Sequence, residues 1–150
     1  MAKKIIEKKL DEILDFMDVS PSVSVEQEDE RFKIIIKGDG LSFLIGHRGT
    51  SLNALQSILA LMVFKEKGDW EYVDIDINDY KEGRKEKLQD MVRNFIDRVR
   101  FHKEDVAMPS MNSYERRLIH IFVSDYPDIV SESTGEGRDR HVVLKLKEDY

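Results

Sequence analysis

The spacing of apolar residues predicts a helix followed by a β-hairpin at the start of the chain. Apolar residues recur at helical intervals from Ile6 to Met17, and this pattern stops before Pro21. Apolar and polar residues then alternate over 22–28 and again over 31–37, with a polar turn between the two runs. Because such alternation is typical of half-buried strands, we expect an antiparallel hairpin here.

A glycine turn between two helical segments follows the hairpin. The short apolar stretch 41–45 leads into Gly46-His47-Arg48-Gly49, and helical spacing resumes from Leu52. Strict alternation over 71–78 then predicts a third strand. The first half of the chain therefore has the element order α-β-β-α-α-β.

The second half begins with a long helix. Its first residues fit a capping box, Asp79-x-x-Glu82, in which the Asp79 side chain would accept a hydrogen bond from the amide of Glu82. Helical spacing continues to about His102. The apolar run 106–108 then predicts a short strand.

One more helix and two strands complete the chain. Asn112-x-x-Glu115 is typical of a helix start, and we expect this helix to cover about 113–124. Strands near 129–133 and 140–146 flank a glycine turn. The element order of the second half is α-β-α-β-β.

The composition is that of a folded protein with a hydrophobic core. The 150 residues are 41% hydrophobic, and the absence of cysteine excludes disulfide frameworks and thiol-based sites. No apolar run approaches the roughly 20 residues of a membrane-spanning helix. We expect a soluble cytoplasmic protein that does not insert into a membrane. Because no linker of biased composition occurs, we place the boundary between two α+β domains after Asn78, giving domains 1–78 and 79–150.

The net charge of −6 argues against a large surface for a polyanion. The two halves differ, however. Residues 1–78 carry 10 basic and 15 acidic side chains, whereas residues 79–150 carry 14 and 15 and hold eight of the ten arginines. Any nucleic-acid site must therefore be local.

The sequence lacks the common motifs of enzymes. It contains no His-Glu-x-x-His, Gly-x-Ser-x-Gly or phosphate-binding P-loop pattern, and its four histidines do not occur at zinc-ligand spacing. We therefore expect neither catalysis nor a metal site. The single tryptophan, Trp70, is expected to be a packing residue.

The turn Gly46-His47-Arg48-Gly49 is the first candidate site. Glycines at both ends remove the Cβ atoms that would hold a sugar-phosphate backbone away, and the following helix start supplies amide donors and a positive dipole. Arg48, and His47 when protonated, add positive charge, and the chain carries no acid over 41–65. The alternative is a glycine turn that merely joins two helices.

Arg116, Arg117 and His120 form the second candidate site. At about 100° per residue, Arg116 and His120 share one helix face, and Arg117 borders it. A guanidinium with an imidazole one turn away suits contacts to phosphates and bases. The alternative is a solvated polar face whose arginines pair with nearby acids. The opposite face is expected to be buried, and its members are Tyr114, Leu118, Ile121 and Phe122.

The glycine turn near the end of the chain is the third candidate site. Arg138 and Arg140 lie beside Gly135 and Gly137, so backbone amides and guanidinium groups could both meet a phosphate. The same residues also fit a hairpin turn with ordinary solubilising charges, and their spacing leaves both interpretations open.

Two segments of the chain resemble one bacterial family. Residues 44–56, which include the first glycine turn, resemble the K-homology (KH) segment of the Jag family of SpoIIIJ-associated proteins, also called KhpB. Residues 111–120, followed by 131–143, resemble the Arg-x-x-x-His domain that follows KH in that family. His47 stands where similar proteins often carry Lys or Arg.

The resemblance implies a type II KH domain followed by a small Arg-x-x-x-His domain of helices packed on a sheet. It implies binding of single-stranded RNA, or of single-stranded DNA, without catalysis or a cofactor, and a small KH-domain protein as a partner. We therefore expect a bacterial post-transcriptional regulator or RNA chaperone. The alternative is a protein-interaction module of a heteromeric KH complex with weak or vestigial nucleic-acid binding, which the net negative charge favours.

Overall fold

The computed structural model describes residues 1–148, which form two compact units. The first unit comprises Met1–Lys81, and the second begins at Glu82. Residues 149 and 150, which end the predicted second domain, lie outside the described residues. Within the described part of the chain, no helix is long and apolar enough to cross a membrane.

The first unit has the predicted order of helices and strands. Strand β2 pairs with β1 in antiparallel orientation and with β3 in parallel orientation, so the sheet order is β1-β2-β3. This α-β-β-α-α-β arrangement confirms the predicted type II KH fold. Its elements are α1 (Ala2–Phe16), β1 (Ser22–Glu28), β2 (Arg31–Lys37), α2 (Ser42–Ile45), α3 (Thr50–Lys67) and β3 (Tyr72–Ile77).

The core of the first unit lies between the sheet and the helices α1 and α3. Alternation along β2 and β3 places Ile34 and Ile75, which are register partners, on the buried face. Leu10 of α1 and Leu59 of α3 are also fully buried in this cluster. The amphipathic patterns seen in the sequence therefore converge on one core.

A side chain of α3 covers part of the free edge of β3. The amide of Ile75 donates a hydrogen bond of 2.9 Å to Oε1 of Gln56. Since β3 pairs with β2 alone, this amide points away from the sheet and would otherwise lack a partner from the ladder.

The second unit combines two helices with a small antiparallel sheet. The sheet order is β4-β6-β5, and the buried cluster includes Val92, Ile96, Ile119 and Leu144. Helix α4 begins two residues before the division between the units. The elements are α4 (Tyr80–His102), β4 (Val106–Ala107), α5 (Ser113–Val123), β5 (Ile129–Thr134) and β6 (His141–Leu146). This α-β-α-β-β order confirms the fold class expected for the second half.

Two local predictions are wrong. Asp79 has a positive φ of 56° and faces Lys37 at 4.0 Å, so it does not form the predicted capping box. Instead, Oδ1 of Asp76 accepts a hydrogen bond of 3.2 Å from the amide of Lys81. Trp70 is 62% exposed and stacks on Phe64, so it is a surface residue and not part of a core.

The fold predicts different effects for two neighbouring substitutions in α3. Leu59→Ala should lower the free energy of unfolding by about 2–5 kcal/mol, because it opens a cavity in the core. Ile58→Ala should change it by less than about 0.5–1 kcal/mol, because Ile58 is 51% exposed. Urea unfolding followed by circular dichroism measures both. Equal losses from the two variants would contradict the assignment of the buried face.

Candidate nucleic-acid interface

The first glycine turn connects α2 to α3 through backbone conformations that favour glycine. A short 3-10 turn covers His47–Gly49. Gly46 has φ 71° and ψ −178°, a combination that is essentially restricted to glycine, and Gly49 has φ 78°. Arg48 between them also has a positive φ of 53°.

Packing inside the first unit also requires both glycines. A Cβ on Gly46 would lie 2.9 Å from the amide nitrogen of Ser51, and a Cβ on Gly49 would lie 2.9 Å from a ring carbon of Tyr80. Both distances are too short for non-bonded atoms. The glycines therefore have a structural role in addition to the close approach of a ligand predicted from the sequence.

The N-terminus of α3 is open to an anion. This 18-residue helix has no side-chain cap on its first amides and no acidic residue in its first turn. Its dipole and free amide donors therefore point into the glycine turn without a neutralising carboxylate. His47 is exposed beside them and Arg48 is half-buried, so positive charge lies at the same place.

The buried face of α5 differs from the predicted one. Glu115 and Ile119 are buried, together with Phe122 and Val123, whereas Tyr114 and Ile121 are more than half exposed. The prediction of Tyr114 and Ile121 as core residues is therefore wrong. It fails because a carboxylate, Glu115, occupies a core position that a pattern of apolar residues assigns to the surface.

Glu115 is held in this buried position by Arg84 of α4. Nε of Arg84 donates a hydrogen bond of 2.8 Å to Oε1 of Glu115, while Oε2 of Glu115 is buried without a hydrogen-bond partner among the described residues. The amide of Glu115 is capped by Oδ1 of Asn112 at 2.8 Å. This bond confirms the predicted helix start at Asn112.

Arg84 is a surface cation that the sequence patterns did not single out. Within residues 1–148 its Nη atoms have no hydrogen-bond partner, and they are not among the buried unpaired atoms. They therefore reach solvent while Nε is fixed on Glu115. The Arg84–Glu115 contact joins residues 31 positions apart, so no local motif could reveal it.

Arg116 and His120 lie side by side but are both half-buried. Nη1 of Arg116 donates a hydrogen bond of 3.0 Å to the carbonyl oxygen of Met111. The imidazole of His120 lies between two hydroxyl groups of β5, with Nδ1 2.7 Å from Oγ of Ser131 and Nε2 2.9 Å from Oγ of Ser133. His120 thus fastens α5 to β5, contrary to the expected free imidazole on an open face.

The environment of His120 favours the neutral imidazole. Burial lowers the pKa of His120, and the nearby guanidinium of Arg116 lowers it further. A neutral ring can donate to one serine and accept from the other, which satisfies both nitrogens. His120 is therefore a structural contact at neutral pH and adds no charge to the surface.

The remaining predicted residues lie on the outside of the second unit. Arg117 and Arg138 are exposed. Nη1 of Arg140 donates a hydrogen bond of 2.8 Å to the carbonyl oxygen of Gly135, so it braces its own turn. This turn follows directly after Ser133, whose hydroxyl contacts His120. Within residues 1–148 no cluster of three or more potential metal ligands occurs.

Comparison with known proteins identifies both domains. Residues 3–77 match the family model "KhpA/KhpB, KH domain", and residues 86–146 match the model of the Arg-x-x-x-His domain. The chain belongs to the KhpB family. This is not a family of enzymes, and it is the family that the sequence motifs indicated.

Two bacterial relatives extend the match to most of the chain. The RNA-binding protein KhpB of Clostridium symbiosum is 35% identical over 142 residues, which are 93% of this chain and 64% of the relative. The RNA-binding protein KhpB of Bacillus subtilis is 33% identical over 127 residues, 83% of this chain and 61% of the relative. The chain thus spans less than two thirds of the length of these KhpB relatives.

The buried imidazole predicts that stability depends on pH. Because the pKa of His120 is lower in the folded protein, the unfolded chain binds this proton more readily. The free energy of unfolding should therefore fall as the pH drops below the ordinary histidine pKa of about 6.5. His120→Gln should remove this part of the pH dependence in urea titrations.

His102→Gln is the matched control, because His102 is exposed at the end of α4. This variant should keep the pH dependence of the native protein. If His120→Gln and His102→Gln gave the same pH dependence, the pKa of His120 would not be lowered by its surroundings.

Proposed function

We propose that the chain binds single-stranded RNA through its KH turn and through the arginines around α5. The observation that carries this proposal is the uncapped, acid-free N-terminus of α3 behind Gly46-His47-Arg48-Gly49. The names of the KhpB relatives, which are RNA-binding proteins, give independent support. In KH domains such a loop clamps the backbone of about four nucleotides.

Each part of the turn has its own task in this proposal. The amides at the start of α3 donate to phosphate oxygens, and Gly46 and Gly49 allow the backbone to approach closely. Arg48 supplies the main charge, because an exposed imidazole such as that of His47 is largely neutral at pH 7. Binding through so few cations should be of moderate affinity and sensitive to salt.

The second contact surface is formed by Arg84, Arg116 and Arg117. Arg84 and Arg116 are each fixed by one hydrogen bond, to Glu115 and to the Met111 carbonyl oxygen. A guanidinium fixed in this way loses little side-chain entropy when it binds a phosphate. Arg138 and Arg140 extend the basic surface.

Two weak contact sites on one chain would reinforce each other. Once the KH turn holds an RNA, the second site meets the same strand at a high effective concentration. We assign these two sites to separate domains, 1–78 and 79–150. A cytoplasmic post-transcriptional regulator or RNA chaperone needs this kind of moderate, broad binding to single strands.

A second candidate function is that of a protein-interaction module for a small KH-domain protein. The observation that favours it is the apolar outer side of α3, where Ile58 and Leu61 are each more than half exposed. Exposed side chains of this kind are typical of association surfaces. Size measurements with and without such a partner, at a salt concentration that abolishes RNA binding, would separate the two functions.

Charge reversal in the KH turn tests the principal proposal. The double variant His47→Asp, Arg48→Asp should weaken binding of a labelled single-stranded RNA of about 15 nucleotides by at least about tenfold, because carboxylates repel phosphate at the helix start. Aspartate tolerates the positive φ of position 48, so the fold should be kept. Fluorescence anisotropy measures the affinity, with single- and double-stranded DNA as competitors.

The control Lys3→Asp, Lys4→Gln makes a comparable change in net charge at the start of α1. It should leave RNA affinity within about twofold of the native value, because the charge lies away from the turn. Equal weakening by both double variants would mean that RNA senses only the overall charge, and the clamp would then be wrong.

The salt dependence of RNA binding tests the second surface. Arg84→Met and Arg116→Met should each reduce the slope of log K against log salt concentration by about 0.7, the value for one lost phosphate contact on a single strand. Arg93→Met is the control, because Arg93 pairs with Asp90 on an exposed part of α4. An unchanged slope for Arg84→Met would remove Arg84 from the surface.

A further inference from the structure

The first unit carries an open groove near the start of β3 that the proposed RNA surface does not use. The groove lies where the turn between β1 and β2 meets the segment that leads into β3. Its lining residues are Gln27, Asp29, Glu30, Trp70, Glu71 and Tyr72.

Two exposed aromatic rings form the floor of this groove. Trp70 and Tyr72 are 62% and 57% exposed, an unusual amount for such large side chains. Trp70 is stacked on Phe64, with ring centroids 4.3 Å apart and an interplanar angle of 17°. One face of the indole is therefore fixed by Phe64, and the ring is held in place at the surface.

The ring of Tyr72 already receives a cation from the chain itself. The guanidinium carbon of Arg31 lies 4.8 Å from the centroid of Tyr72, a distance typical of a cation–π contact. Trp70 has the stronger π-face of the two, and within residues 1–148 no cation lies over it.

The rim of the groove is acidic. Glu71 forms an ion pair with Lys67. Asp29 and Glu30 are exposed and have no ion-pair partner within the described residues. The groove therefore repels phosphate and attracts positive charge.

The groove and the proposed RNA clamp lie at opposite ends of one helix. The glycine turn precedes Thr50, at the start of α3, and Phe64, on which Trp70 stacks, lies near its end. At about 1.5 Å per residue, these two positions are about 20 Å apart along the helix. A ligand in the groove would therefore leave the clamp free.

We propose that this groove binds a basic peptide segment of a partner protein. A lysine or arginine side chain lies over the free face of Trp70, and its charge is balanced by Asp29 and Glu30. Charge complementarity selects this occupant, because the acidic rim disfavours nucleic acid and the flat aromatic floor fits the planar or methylene part of a cationic side chain.

Trp70 is the single tryptophan of the chain, so its fluorescence reports directly on the groove. The probe is an acetylated and amidated peptide of about eight residues with alternating Gly and Arg, and the control peptide carries Gln in place of Arg. Titration with the Arg peptide at about 150 mM salt should change the fluorescence in a saturable way. The Gln peptide should leave it unchanged.

Matched variants separate the groove from general attraction between charges. Asp29→Asn, Glu30→Gln should weaken binding of the Arg peptide roughly three- to tenfold, since two exposed charge pairs are lost. Glu104→Gln, Glu148→Gln removes the same charge from exposed positions of the second unit and should have no effect. Trp70→Leu, followed by calorimetry and checked for folding by circular dichroism, should abolish binding.

Three results would overturn the proposal. The first is equal weakening by the groove variant and the control variant. The second is unchanged affinity of Trp70→Leu. The third is a fluorescence change caused by RNA that becomes larger when Asp29 and Glu30 are neutralised, which would identify the groove as a base-stacking site. His47→Asp, Arg48→Asp should bind the peptide normally, so this outcome is independent of the proposed RNA clamp.

Discussion

The parallel pairing of β2 with β3 is the constraint on which the first unit depends. Two parallel neighbours cannot be joined by a tight turn, so the chain must return along the sheet before β3 can begin. Helices α2 and α3 make this return, and the glycine turn is the corner between them. The start of α3 is thereby left at a surface corner, where its free amides can meet an anion.

Structure and ligand binding make the same demand on the glycines at this corner. Gly46 adopts a conformation that other residues avoid, and Gly49 leaves room for the ring of Tyr80. A turn without side chains at these positions also lets a polymer backbone come close. The presence of the two glycines therefore says less about function than the missing cap and the missing acids at the start of α3.

Elements whose pattern is local could be predicted from the sequence, whereas features that depend on distant partners could not. The hairpin 22–37 and the cap at Asn112 rest on neighbouring residues, and the structure has them as expected. The predicted buried face of α5 was wrong because Glu115 is held in the core by an arginine 31 positions away. The prediction for Trp70 was wrong because a tryptophan stacked on one neighbour has the same sequence signature as one inside a core.

The bond from Ile75 to Gln56 has a consequence for the behaviour of the protein at high concentration. An uncovered edge strand is a template on which another molecule can add its own strand, and such addition leads to aggregation. With the Ile75 amide already engaged by a side chain, an incoming strand finds no free main-chain donor at this position in the middle of β3. Gln56 thus serves as a guard against intermolecular sheet extension, and it does so from the same helix whose N-terminus forms the ligand-binding corner.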